Sequence, residues 1–276
     1  MTSPLLGYLD RPGPLHTLSG VSKLVLVLAV VLGAAIGFDV RYLAVVGAGS
    51  LVLWAISRVP PRDLAVVLWL IALFMVLNNL GILLFAHGYG TELFGTRHVL
   101  LEGPWRWDVT AEQLFYQSAV TLKYVAVLPS VLLFVATTRP PEFASSLARI
   151  GVPYRIAYAV SLALRYIPDV QREFRTISQA QQARGLDTSR AAGLRTRVRN
   201  LASVLLPLLL GTFDRIEAVS AAMELRGFGR GRRRTWLVRT PLRAPDLVLI
   251  ALAAVLVALP IVLLGVNDGR FWNPFD

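Results

Sequence analysis

The sequence has no cysteine and only three histidines, and charged residues make up just 16% of its 276 positions. Soluble domains carry about 25%. Without cysteine, a disulfide scaffold, a thiolate nucleophile and a cysteine-ligated metal cluster are excluded. His16, His87 and His98 are scattered without ligand spacing, so no metal site is expected. So little charge cannot wet a globular surface, which excludes a soluble enzyme and a disordered tail. No glycine-rich nucleotide-binding loop is present. Met1 to Gly20 carries Asp10, Arg11 and three prolines and lacks the apolar run of a cleaved signal peptide.

What the chain does have is apolar residues in long blocks. Leu64 to Ala86 runs for 23 residues without a charge, enough at about 1.5 Å per residue to cross a hydrocarbon core of roughly 30 Å. The expected fold is an all-α integral membrane protein with about five transmembrane helices. Four spans fall in an N-terminal membrane domain, residues 1–138, at about 21–38, 42–57, 64–86 and 119–138. The fifth lies in the C-terminal segment 244–276. Lys23 is expected to snorkel at the inner end of the first span, and Lys123 to anchor the fourth about one turn from its outer end.

The positive charge is concentrated. Residues 139–243 hold 19 arginines against 7 acidic residues, while the remaining chain is close to neutral. The positive-inside rule places such a segment in the cytoplasm, where it also meets anionic lipid headgroups. The same rule puts the N-terminus inside and, with five spans, the C-terminus outside. Nucleic-acid binding is disfavoured because the arginines alternate with apolar stretches such as Leu201 to Leu210, which need burial. Three helical stretches are expected between the fourth and fifth spans: Pro141 to Arg149, Pro153 to Arg184 with a kink at Pro168, and Arg195 to Arg226 interrupted near Pro207 and Gly211.

The last two of these stretches end alike. One closes Ala180-Gln181-Gln182-Ala183-Arg184-Gly185-Leu186, the other Ala222-Met223-Glu224-Leu225-Arg226-Gly227-Phe228. In each, the arginine projects from the last turn and the glycine lets the chain leave in left-handed geometry. Arginine there complements the helix dipole, and its planar fork also suits a partner groove lined with carboxylates or carbonyls. Spacing alone leaves capping and docking equally open.

The paired endings resemble the Ala-Arg-Gly signature of the transmembrane T component of energy-coupling factor (ECF) transporters. Thr137-Thr138-Arg139-Pro140, Leu147-Ala148-Arg149-Ile150-Gly151-Val152-Pro153 and Arg165-Tyr166-Ile167-Pro168-Asp169 are similar to the stretches that lead into that family's coupling helices. Leu15-His16-Thr17-Leu18 and Ser22-Lys23-Leu24 are similar more weakly. The resemblance implies the coupling subunit of a bacterial importer for a vitamin or metal ion, located in the cell membrane with its N-terminus and coupling helices cytoplasmic. It implies two ABC-type ATPase partners and a small membrane S component that captures substrate. It further implies that Ala183, Arg184, Gly185 and Leu225, Arg226, Gly227 dock the two ATPases. Leu225 departs from the family's usual alanine. On this reading the chain is not an enzyme and binds no cofactor directly, ATP and magnesium being held by the ATPases.

Other residues carry weaker signals. Asn78 and Asn79 lie mid-span, where amides hydrogen-bond between helices or meet the S component. Trp105 and Trp107 suit an interfacial belt, and Arg230 with Arg232, Arg233 and Arg234 a headgroup clamp. A membrane enzyme would need a catalytic cluster that the scattered acids do not form. A proton- or ion-coupled carrier would need ionisable residues inside spans, and Lys123 alone qualifies. A self-contained ABC permease is the nearest alternative, since it too docks ATPases through cytosolic helices.

Overall fold

The computed structural model describes residues 13–86, 88–101, 108–186, 193–231, 236, 240–267 and 269–275. His87, Trp105, Trp107 and Arg232 to Arg234 lie outside the described residues. The protein is an all-α membrane protein, and its chain divides into two units: Met1–Arg139 with Thr240–Asp276, and Pro140–Arg239.

The first unit contains α1 (Gly20–Ile36), α2 (Val40–Ser57), α3 (Ala65–Phe85), the short α4 (Tyr89–Phe94), a small antiparallel pair β1 (Val99–Leu101) and β2 (Val109–Thr110), and α5 (Ala111–Thr137). The second unit holds α6 (Pro140–Arg149), α7 (Tyr154–Ala183) and α8 (Leu194–Leu225). α9 (Ala244–Val266) returns to the first unit. Among the described residues four stretches are long and apolar enough to cross a membrane: Val40–Ser57, Pro61–Phe85, Ala111–Thr137 and Ala244–Val266; α1 is apolar but one residue shorter than α2. The fourth span begins eight residues before the expected start because Thr110 caps it, its hydroxyl accepting from Gln113 N–H.

The core of the first unit lies where α1, α2, α5 and α9 meet, around Val30, Ala34, Tyr42, Leu43, Val46 and Ala126, with Leu256 and Leu263 from α9 against them. Gly33 lets α1 approach α9 closely. A Cβ there would lie 2.1 Å from the Tyr42 hydroxyl and 2.7 Å from the Leu256 carbonyl. α3 is attached to this bundle differently: none of its residues is buried, and its start joins a second cluster of Val59, Leu64, Leu132, Leu133 and Ala136.

Prolines inside the helices explain several cross-helix hydrogen bonds. A proline cannot donate to the carbonyl four residues earlier, so that carbonyl needs another partner. Pro129 in α5 frees Val125 O, which accepts from Ser50 Oγ of α2 at 3.0 Å. Pro260 in α9 frees Leu256 O, which accepts from Tyr42 Oη at 2.8 Å. Pro207 in α8 frees Ser203 O, which accepts from Gln181 Nε2 of α7 at 3.3 Å. α8 therefore runs unbroken through Pro207 and Gly211, where the sequence had suggested an interruption, and α7 runs unbroken through Pro168.

The two lysines also differ from expectation. Lys23 does not snorkel: it is 5% exposed, and its Nζ donates to Thr137 O at the C-terminus of α5, 2.9 Å away. A cation suits that end of a helix dipole. Lys123 lies twelve residues into α5, about three turns rather than one, and its ammonium stands 3.7 Å from the centre of the Phe38 ring.

Phe38 belongs to the α1–α2 turn, which the C-terminal tail covers. Phe38 N–H donates to Arg270 O at 2.9 Å, and its ring stacks on Phe271 at 4.9 Å. Phe94 and Phe115 meet Phe275, and Arg41 lies over Trp272. Asp39 caps α2 and accepts from Arg41 and from Asn267 Nδ2. Burial pushes the Asp39 carboxyl up, but these hydrogen bonds outweigh it and hold the group below its ordinary value.

Candidate functional site

The two Arg-Gly endings are the same local structure. α7 stops at Ala183, and Gly185 N–H bonds Gln182 O at 2.9 Å while Leu186 N–H bonds Gln181 O at 3.1 Å. α8 stops at Leu225, and Gly227 N–H bonds Glu224 O at 2.9 Å while Phe228 N–H bonds Met223 O at 2.9 Å. Both pairs are the 5→2 and 6→1 bonds of a Schellman motif. That motif needs a left-handed residue, and the glycines supply it with φ of +86° at Gly185 and +65° at Gly227. Each arginine takes the last half-helical position with nearly equal backbone angles.

The geometry leaves both side chains accessible. Arg184 and Arg226 are exposed, as are Ala183 and Gly185. Leu225 is 90% exposed. Its extra bulk over alanine is therefore left almost wholly accessible.

The placement of the two turns follows from how α7 and α8 pair. Gln181 bonds Ser203 O near one end of the pair. Glu173 Oε2 accepts from Arg215 Nη2 at 2.8 Å further along. Tyr154 and Tyr158, in the first turns of α7, meet the Phe228 ring beyond the end of α8. The helices are therefore antiparallel. Arg184 and Arg226 lie toward opposite ends, roughly 30–40 Å apart at 1.5 Å per residue. Glu173 and Arg215 each precede their helix's arginine by eleven residues, so the ion pair sits between the two turns.

The second turn carries further contacts. Phe228 lies 4.8 Å from Tyr158 and 5.7 Å from Tyr154, centre to centre. Arg155 Nη2 donates to Gly229 O at 2.7 Å. The Arg-Gly endings by themselves give Tyr154, Tyr158 and Arg155 no role. The aromatic after Gly227 and the Tyr154/Tyr158 pair at i, i+4 were the available signal.

Asn78 and Asn79 stand apart from this site, in α3. Asn79 Nδ2 donates to Met75 O at 2.9 Å and to Thr121 Oγ1 of α5 at 3.2 Å, and Gln117 Nε2 of α5 donates to Asn79 O at 3.2 Å. The amide thus fastens α3 to α5 by hydrogen bonds within the apolar layer. Asn78 Oδ1 is buried and has no hydrogen-bond partner among the described residues. No group of three or more histidines and acids able to hold a metal is found among the described residues.

Comparison with known proteins agrees with this architecture. The CbiQ family, described as cobalt transport protein, matches residues 13–237. An energy-coupling factor transporter transmembrane protein of Exiguobacterium sibiricum is 32% identical over 64% of this chain and 70% of its own length. The protein of that name from Limosilactobacillus fermentum is 31% identical over 55% of this chain and 60% of its own. That from Bacillus subtilis is 25% identical over 94% and 97%. With the family match covering most of its length, the chain belongs to the CbiQ family, the family of the transmembrane components of energy-coupling factor transporters.

Proposed function

We propose that this chain is the coupling subunit of an ECF-type importer, holding two cytosolic ABC-type ATPases and a substrate-capturing S component for a vitamin or metal ion. Arg184 and Arg226 each enter a groove of one ATPase and meet its carboxylates or carbonyls through the planar guanidinium fork. ATP, with its magnesium, is bound and hydrolysed by those partners. Closing of the ATPase pair shifts the two helix ends relative to each other, and the stiff helices pass the motion to the S component, which then releases substrate inward. The Pro140–Arg239 unit is cytoplasmic on this reading, in line with its arginine excess.

The observation that carries this reading is the pair of matching, exposed Arg-Gly turns toward opposite ends of one antiparallel helix pair. Helix capping alone accounts for either turn. It does not account for the exposure of Leu225 beside Arg226, nor for two such turns spaced widely enough to engage two separate proteins.

Co-purification from native membranes tests the proposal. Wild type should bring down ATPase subunits and a small membrane protein, and Arg184→Glu with Arg226→Glu should lose the ATPases. A truncated buried charge contact costs about 2–5 kcal/mol, so reversing both charges removes docking. A double variant that keeps its ATPases would reduce the Arg-Gly turns to helix caps.

A further inference from the structure

We infer that Phe228 and Arg155 are positioning residues for the second ATPase contact, fixing the Arg226 turn to the start of α7. The inference rests on the docking role proposed for Arg226, but its structural half stands on contacts within the Pro140–Arg239 unit.

The Schellman bonds set the path of residues 226 to 228 relative to α8 only. They do not say where that turn stands relative to α7. Two contacts of different chemistry do. The Phe228 ring meets Tyr154 edge to face at 67°, an arrangement that aromatic pairs favour, and meets Tyr158 at a tilt of 46°. One residue on, the Arg155 guanidinium donates to Gly229 O. Gly229 has φ of +91°, and a Cβ there would lie 3.6 Å from Arg155 Nη2. That Cβ would be in ordinary contact, so it is the left-handed φ that favours glycine here.

The first turn is fastened by other means. Gln181, three residues before Arg184, donates to the carbonyl that Pro207 frees. Among the described residues no ring contact or side-chain hydrogen bond holds Arg184, Gly185 or Leu186 themselves. The two arginines thus have unlike mountings. Arg226 is followed directly by a braced segment, whereas the Gln181 amide fastens α7 to α8 one turn before Arg184. Arg155 and Tyr154 follow directly on the Gly151-Val152-Pro153 joint between α6 and α7. A push on Arg226 therefore reaches that joint through Phe228 and Gly229, while a push on Arg184 enters α7 at its far end.

The cysteine-free chain allows a direct test in the assembled complex. Spin labels at Ala163→Cys on α7 and Glu224→Cys on α8 report where the end of α8 stands. Labels at Gln182→Cys and Ala202→Cys serve as the control. Phe228→Ala should broaden the first distance distribution and leave the second unchanged. It should also lower substrate transported per ATP hydrolysed by at least roughly two- to tenfold, the range for a single aromatic pair, since both the Tyr154 and the Tyr158 contacts are lost. Phe228→Tyr should retain both distance and coupling. Arg155→Ala should repeat the broadening without touching an aromatic ring. A distribution that stays narrow in both Phe228→Ala and Arg155→Ala would overturn the clamp, and an unchanged transport-to-hydrolysis ratio would overturn its role in coupling. Failure of the docking reading itself shows differently, as absence of ATPase subunits from the wild-type complex, and removes the positioning role with it.

Discussion

Gln181 of α7 donates its side-chain amide to the carbonyl of Ser203 in α8, the one carbonyl of that helix that Pro207 cannot satisfy. Ser50 with Val125 and Tyr42 with Leu256 repeat the arrangement at Pro129 and Pro260. In all three a residue that weakens one helix creates an acceptor that a neighbouring helix uses. Prolines are therefore fastening points in this protein as well as flaws in its helices.

That account predicts coupling between Tyr42 and Pro260. Tyr42→Phe leaves the Leu256 carbonyl without its donor and should destabilise the protein by about 1–3 kcal/mol. In a Pro260→Ala background the new backbone N–H supplies the missing bond, so Tyr42→Phe should then cost much less. Thermal unfolding of the four proteins in detergent forms the double-mutant cycle. Strict additivity would show that the hydroxyl acts elsewhere.

Glu173 and Arg215 should behave as a pair. Both side chains are partly exposed, so the bond is worth at most about 1 kcal/mol. Glu173→Arg or Arg215→Glu alone should lower unfolding temperature and transport, and the exchanged pair should recover both in large part. No recovery would mean that the ion pair contributes nothing to holding α7 against α8.

Lys23 is buried with its ammonium on the last carbonyl of α5, that of Thr137. Lys23→Met removes a charged hydrogen bond worth about 1.5–3 kcal/mol. Lys23→Glu adds repulsion from the helix dipole and should be worse. Unfolding temperatures should fall in the order wild type, Lys23→Met, Lys23→Glu. If Lys23→Met matched wild type, the amine would contribute nothing where it lies.

Asp39 gives a pH dependence of known sign. Its carboxyl is held below its ordinary value in the folded protein, so the unfolded chain takes up its proton first as pH falls. Its contribution is fully present above the unfolded value and is lost as pH drops through the folded one. Asp39→Asn should abolish that part of the acid sensitivity, and a melting series from pH 6 down to about 3 checks it. An identical acid profile in the variant would show that the bonds to Arg41 and Asn267 do not bias the carboxyl.

Much of this was legible in the sequence because apolar blocks and Arg-Gly endings are local signals. Leu64 to Ala86 announces a span by composition alone, and Gly185 and Gly227 mark helix ends by their position after arginine. The misreadings share one cause, which is that partners distant in sequence decide the outcome. Pro207 reads as a break until Gln181, 26 residues earlier, is seen to satisfy Ser203. Lys23 reads as a snorkelling lysine until Thr137 is seen beside it, 114 residues away. Asn79 likewise becomes a fastener of α3 only when Thr121 and Gln117 are brought to it. Phe228 reads only as the bulky residue closing the second ending until Tyr154 and Tyr158 are brought to it.

The central claim is that both Arg-Gly turns touch ATPases, and site-directed cross-linking tests it most directly. Since the chain has no cysteine of its own, Ala183→Cys and Leu225→Cys each give a single thiol beside one arginine. With a short heterobifunctional photo-crosslinker on that thiol, each variant should capture an ATPase subunit in native membranes, while Ala163→Cys, in the middle of α7, should not. Capture at neither turn, or equal capture at Ala163→Cys, would contradict the account.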